Sequence, residues 1–211
     1  MEKEDNPKRQ FGRKKILLLL LLVAALLTGS LFVTNRRYMR RFGTLVKPPA
    51  DYPLVEVNYY LQRDSRWAND HLGDSKYKMG GYGCLIMCVA ASLNHLGIAT
   101  DPKELNRQLT AVDGYVNGDL LWAKIHEAYP AADYRSSHFI TGSYIEKDLN
   151  SGLLPLINVK YHHTGITHWV LIVGAQDGEF LIYDPANSKL TYLPLSVHGR
   201  IYAYRVIIPA E

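Results

Sequence analysis

Two cysteines, Cys84 and Cys88, are the only ones among 211 residues. Cys84 directly follows the turn Gly81-Tyr82-Gly83 and opens an apolar run that continues through Leu96 to Gly97. A thiol at the start of a helix lies in the field of the helix N-terminus, which stabilises the thiolate, the form that attacks carbonyls. Downstream the chain supplies His168 in Thr-His-Trp-Val-Leu-Ile-Val-Gly and then Asp184 in Leu-Ile-Tyr-Asp-Pro. That is the order nucleophile, base and orienter, so the chemistry implied is attack on an amide carbonyl through an acyl-enzyme. Cys88 falls one turn inside the same helical run and reads as a small core residue. A disulfide between the two would strain its geometry and close almost no loop. His162 and His163, ahead of a Thr164-Gly165 turn, are the alternative base. The chain has no HExxH helix and no Cys-x-x-Cys knuckle, so a metal site is not expected and no cofactor is needed.

The elements that must position these groups follow from the apolar pattern. Cys84 to Leu96 is apolar all round, the mark of a central buried helix, and Gly97 suits the position just past its end. Asp101-Pro102 starts a short helix to about Leu109; Gly118 to Ala128 predicts a second, and Ser143 to Gly152 a third. Beyond that the period changes to that of strands: Leu154 to Tyr161, His168 to Ala175, Phe180 to Tyr183, Lys189 to Leu193 and Ile201 to Ile207. Asp177-Gly178 is a hairpin signal, and pairing across it brings Asp184 back towards His168. Val55 to Gln62 reads as a short strand, and Arg63 to Tyr82 as loop. Helices first and an antiparallel sheet second give an α+β domain over residues 55–211.

Ahead of it, Ile16 to Val33 contains no charged residue and is long enough to span a bilayer, as a transmembrane helix or uncleaved signal anchor over residues 16–35; the alternative is the apolar core of a secretory signal cleaved at the small residues Thr28-Gly29-Ser30. The basicity of the chain belongs to the flanks of this span. Residues 1–15 carry six Lys/Arg against three acids and residues 36–41 carry four arginines, so residues 42–211 are left at −3 within a total of +4. This argues against a nucleic-acid face on the folded domain and for anionic headgroups beside the basic flanks. The excess before the span favours a cytoplasmic tail over residues 1–15 and an extracytoplasmic domain. Pro48, Pro49 and Pro53 mark residues 36–54 as a basic flank and extended stalk that lifts the domain from the membrane.

Four segments in order resemble the papain-like cysteine peptidases related to bacteriocin-processing, double-glycine leader peptidases. They are Gln62-Arg63-Asp64-Ser65-Arg66-Trp67-Ala68, the Gly83-Cys84 helix ending Leu93-Asn94-His95-Leu96-Gly97, the strand His168 to Gly174, and Tyr183-Asp184-Pro185. The resemblance implies a papain-like fold with Cys84 as nucleophile, His168 as base, Asp184 as orienter and Gln62 as oxyanion-hole donor. Leu85-Ile86-Met87 stands where such enzymes often have Gly-Pro-Thr. The expected function is hydrolysis of a peptide or protein substrate by a single-span, membrane-anchored enzyme. Two alternatives share these residues: acyl transfer or deamidation on the same fold, and a non-catalytic binding domain with a Tyr-rich surface.

Overall fold

The computed structural model describes residues 7–210, so the first six residues of the basic tail lie outside the described residues. Helix α1 (Pro7–Phe42) carries the apolar segment, and within it Ile16–Asn35 is long and apolar enough to cross a membrane, with none of that window buried. Then come α2 (Met79–Tyr82), α3 (Cys84–His95), α4 (Pro102–Ala111), the two-stranded hairpin β1 (Tyr115–Val116) and β2 (Asp119–Leu120), and α5 (Lys124–Ala128). They are followed by β3 (Ala132–Ser137), α6 (Gly142–Asn150), β4 (Pro155–Lys160), β5 (Thr167–Gln176), β6 (Glu179–Tyr183), β7 (Leu193–Pro194) and β8 (Ala203–Pro209). The six strands other than β1 and β2 form one antiparallel sheet in the order β3-β8-β4-β5-β6-β7.

Helix α3 is the hub of this α+β fold. Nine of its residues, from Cys84 to Leu93, are buried, and it packs on β5 at the centre of the sheet. An all-apolar helix has no face to give to water, so it must be covered on both sides, here by the sheet and by α4. Gly97, at φ +79°, ends it as a left-handed residue. Helix α4 starts at the expected cap, where the Asp101 side chain accepts from the Glu104 N–H at 2.8 Å.

Several elements differ from the sequence reading. The helix expected from Gly118 begins only at Lys124, because Asn117 and Gly118 adopt positive φ and turn the chain into the β1–β2 hairpin first. Helix α6 is capped by Thr141, not Ser143. Strand β3 was not anticipated: it pairs at the sheet edge, where Asp133, Arg135 and Ser136 break the apolar alternation that marks an inner strand. The strand expected over Lys189 to Leu193 is reduced to Leu193–Pro194.

The largest difference lies between Gly43 and Gln62. This segment neither forms a regular strand at Val55 nor stands free as a stalk; it lies along the domain as a strap. Thr44 pairs with Ile201, Tyr52 pairs with Ala175, and the Val55 N–H donates to Val173 O at 2.8 Å. Tyr52 and Val55 pack on the core. At Gly174 an added Cβ would come within 3.1 Å of Leu54 Cα, so the strap crosses β5 where a side chain is missing. Prolines remove ladder donors yet leave carbonyls and side chains able to pack, which explains an extended segment without a strand ladder.

Candidate active site

Gly83 stands between α2 and α3. A Cβ there would lie 2.6 Å from Met79 O, so the close turn that presents Cys84 at the first position of α3 needs glycine. The Cys84 N–H belongs to the first turn, whose donors have no intrahelical acceptor. Cys84 reaches the floor of a cleft of about 740 Å³ that is also lined by Gln62, Tyr82, His168, Trp169 and Ala186. Cys88 is fully buried, donates its thiol to Trp169 O at 3.5 Å, and is not itself part of that lining.

His168 lies at the start of β5 and Asp184 one residue past the end of β6, and His168 Nε2 donates to Asp184 Oδ1 at 2.7 Å. The hairpin that joins them turns at Asp177 (φ 54°) and Gly178 (φ 76°), both left-handed as a tight two-residue turn requires. Hairpin pairing alone would not bring the pair together. From Gln176↔Glu179 to Gly174↔Leu181 the register would set Asp184 opposite Leu171, on the face away from His168. A bulge between Ile172 and Gly174 inserts Val173 and shifts the pairing to Leu171↔Tyr183. Asp184 then falls opposite Val170, two residues from His168 and on its face. The strap bonds to Val173 O, at the bulge itself.

Asp184 is 1% exposed and its carboxylate has three donors. Oδ1 also accepts from the Ala186 N–H at 2.8 Å, and Oδ2 accepts from His198 Nε2 at 3.1 Å. His198 was not singled out by the sequence, where it is an isolated histidine before Gly199 with no spacing relation to Cys84 or His168. Burial raises the Asp184 carboxyl, but the bonds from His168 and His198 outweigh it and hold the group well below the ordinary carboxylate range. His168 shows the complementary effect. Burial opposes its charge, yet the Asp184 bond and the neighbouring Cys84 thiol carry it up to about 9. With Nε2 committed to Asp184, the ring nitrogen left for Cys84 is Nδ1. Cys88 is pushed up by burial and stays a thiol.

Gln62 is held beside this cluster by its backbone, whose N–H donates to Pro185 O at 2.8 Å, while its amide Nε2 reaches Gly80 O at 3.3 Å. The four residues picked out by the sequence, Cys84, His168, Asp184 and Gln62, therefore meet at one end of α3. His162 and His163, the alternative base, sit in a 3-10 turn (Tyr161–His163) behind His198 and not on the cleft lining.

His168, Asp184 and His198 also offer ligand atoms within 4.8 Å of one another. They do not fit a divalent metal. His198 Nδ1 accepts the His162 backbone N–H at 3.0 Å, so it cannot carry the proton that an imidazole bound to metal through Nε2 normally donates to its outer partner.

The fold agrees with what the chain is similar to. It belongs to the Peptidase_C39 like family, whose model matches residues 54–198. Its fold resembles that of a crystal structure described as a C39-like peptidase from Bacillus anthracis, with a TM-score of 0.50 at 12% identity, over 77% of this chain and 99% of that one. Among curated proteins, none matches the chain.

Proposed function

We propose that the protein is a papain-like cysteine peptidase of the bacteriocin-processing type, working through Cys84, His168 and Asp184 and anchored to a membrane by α1. The observation that carries the reading is the buried His168–Asp184 bond at 2.7 Å, which commits Nε2 and leaves Nδ1 for a thiol at a helix N-terminus on the same cleft. The Cys84 thiolate attacks the amide carbonyl, and the oxyanion forms beside the Cys84 N–H and the Gln62 amide. The His168 imidazolium gives its proton to the leaving amine, and the acyl-enzyme passes to water when the same imidazole takes a proton from it. Asp184 holds the ring and keeps its charge throughout.

Family membership supports a peptide or protein substrate. The span Ile16–Asn35 and the basic excess ahead of it support a single anchor with the domain outside the cytoplasm. The strap that binds Thr44 to Ile201 begins two residues after α1 ends at Phe42, so the segment with the stalk's prolines is docked on the domain rather than free. Peptide hydrolysis by the full chain in detergent, compared with Cys84→Ala, tests the activity. Protease added to intact cells tests the topology: digestion of the domain with a small protected N-terminal fragment is expected, and a protected domain would contradict it.

A further inference from the structure

His198 is 1% exposed and bonds the other oxygen of Asp184 from the one His168 uses, with the two rings edge-on at 5.6 Å between centroids. Its two bonds fix its chemistry. The His162 backbone N–H can only donate, so His198 Nδ1 must be the unprotonated nitrogen, and the ring proton must lie on Nε2, where it is given to Asp184 Oδ2 at 3.1 Å. Charging the ring would set an N–H against an N–H. His198 is thus a neutral donor: it orients the carboxylate without cancelling its charge, which stays available to the His168 imidazolium. A lysine or arginine in its place would form an ion pair and withdraw that charge.

The acceptor side leads to the cleft. His162 is held at φ 42°, ψ 39° and His163 at φ 61°, two consecutive non-glycine residues in the left-handed region. Such residues cost energy that the surroundings must offset. The offset is visible: His162 gives its N–H to His198, and the His163 ring lies where a Cβ on Gly199 would be, 2.8 Å from that position. The same segment continues through Tyr161, Ile166 and Thr167 into the cleft lining.

Resting on the peptidase reading above, we propose that His198 is a positioning residue, a neutral second imidazole that clamps Asp184 to the backbone of the 161–166 loop and so fixes the triad relative to the cleft wall. The titratable groups that face Asp184 are His168 on β5, His198, Cys88 on α3, Tyr59 on the strap and Tyr183 on β6, with Cys84 facing His168; those that face His198 besides Asp184 are Tyr161, His162 and His168. His198 is the member of this set that bonds Asp184 Oδ2 without facing Cys84 across the cleft.

The test uses the full chain in detergent and two readouts that need no substrate. The first is imidazole ¹⁵N NMR at neutral pH, which should show the His198 ring proton on Nε2 and Nδ1 unprotonated, as the bond from the His162 N–H requires. The second is the rate of iodoacetamide alkylation at Cys84 against pH. His198→Ala should lower the neutral-pH rate about tenfold and move the acid limb up by about one pH unit, because Asp184 loses a donor that keeps it ionised and oriented. His198→Gln should recover the rate to within about threefold, since its amide can donate to Asp184 and accept from His162. A His198 ring proton found on Nδ1, an alanine variant with the wild-type profile, or a folded glutamine variant as slow as alanine would each overturn the proposal. If wild-type Cys84 reacts no faster than free cysteine while His198 stays the neutral tautomer, it is the peptidase reading that fails, and the clamp survives as geometry.

Discussion

The domain buries two aspartates, and they are held in opposite ways. Asp148 on α6 receives Arg135 Nη2 at 2.5 Å and the Tyr204 hydroxyl at 2.6 Å, and Arg135 also donates to the Tyr144 hydroxyl. Asp184 receives two imidazoles and a backbone N–H. The first carboxylate faces a permanent cation; its negative charge is matched on the spot and the cluster lies away from the cleft lining. The second faces groups that can change charge, next to a thiol on a cleft. A buried carboxylate by itself therefore says little about chemistry. What separates a structural ion pair from a catalytic one is whether the partner can gain and lose a proton within reach of a nucleophile.

Substitutions can break this contrast. The largest effect is expected from Cys84→Ala, which should remove peptide hydrolysis entirely while leaving thermal stability within about 1 kcal/mol. Asp184→Asn comes next. Whichever way the amide turns, its NH2 meets an N–H, from His198 on one side or from Ala186 and His168 on the other, so kcat/KM should fall on the order of 10³-fold. This exceeds the partial loss that a carboxylate with a single partner would give, and steady-state kinetics against wild type decide it. At the other aspartate, Asp148→Asn should lower unfolding stability by roughly 2 kcal/mol, moderated by the partial exposure of Arg135, yet leave kcat/KM of the folded fraction within about twofold. Denaturant unfolding alongside kinetics would show whether the two effects separate as stated.

Smaller effects sharpen the same comparison. Because His168 must be protonated to release the amine and its folded pKa is about 9, the rate should hold through neutral pH and fall as pH rises past about 9. The sign for stability is the same: protonated His168 stabilises the fold fully below the ordinary histidine range, and that contribution is lost as pH rises through about 9. A pH–rate profile whose alkaline limb lies near 7 would refute this. Cys88→Ala should have the least effect on activity, within about twofold, with a loss of about 1 kcal/mol from a small core cavity.

The position of Cys84, the proposed nucleophile, at the helix start was legible because a Gly-Cys step into an all-apolar run leaves a single place for the helix to begin. The hairpin was legible from Asp177-Gly178, and with it the return of Asp184 towards the start of β5, though not its face. The sequence is silent about the Val173 bulge that puts His168 and Asp184 on the same face, since nothing in the local spacing of β5 marks it; the strap's bond to Val173 O comes from a segment far away in the chain. His198 was hidden for a related reason. Its partners, Asp184 and the His162 N–H, come from segments 14 and 36 residues away, brought together by tertiary packing with no local spacing to mark them. The strap itself was misread as a stalk because proline signals an extended chain without saying what that chain lies against.

The most direct test of the central claim is site mapping by mass spectrometry after limited iodoacetamide treatment of the full chain near pH 6. Cys84 should react at least about tenfold faster than free cysteine, Cys88 should stay unmodified, and His168→Ala should erase the advantage. Equal labelling of Cys84 and Cys88, or a Cys84 rate that His168→Ala leaves unchanged, would contradict a thiolate held by the imidazole that Asp184 orients.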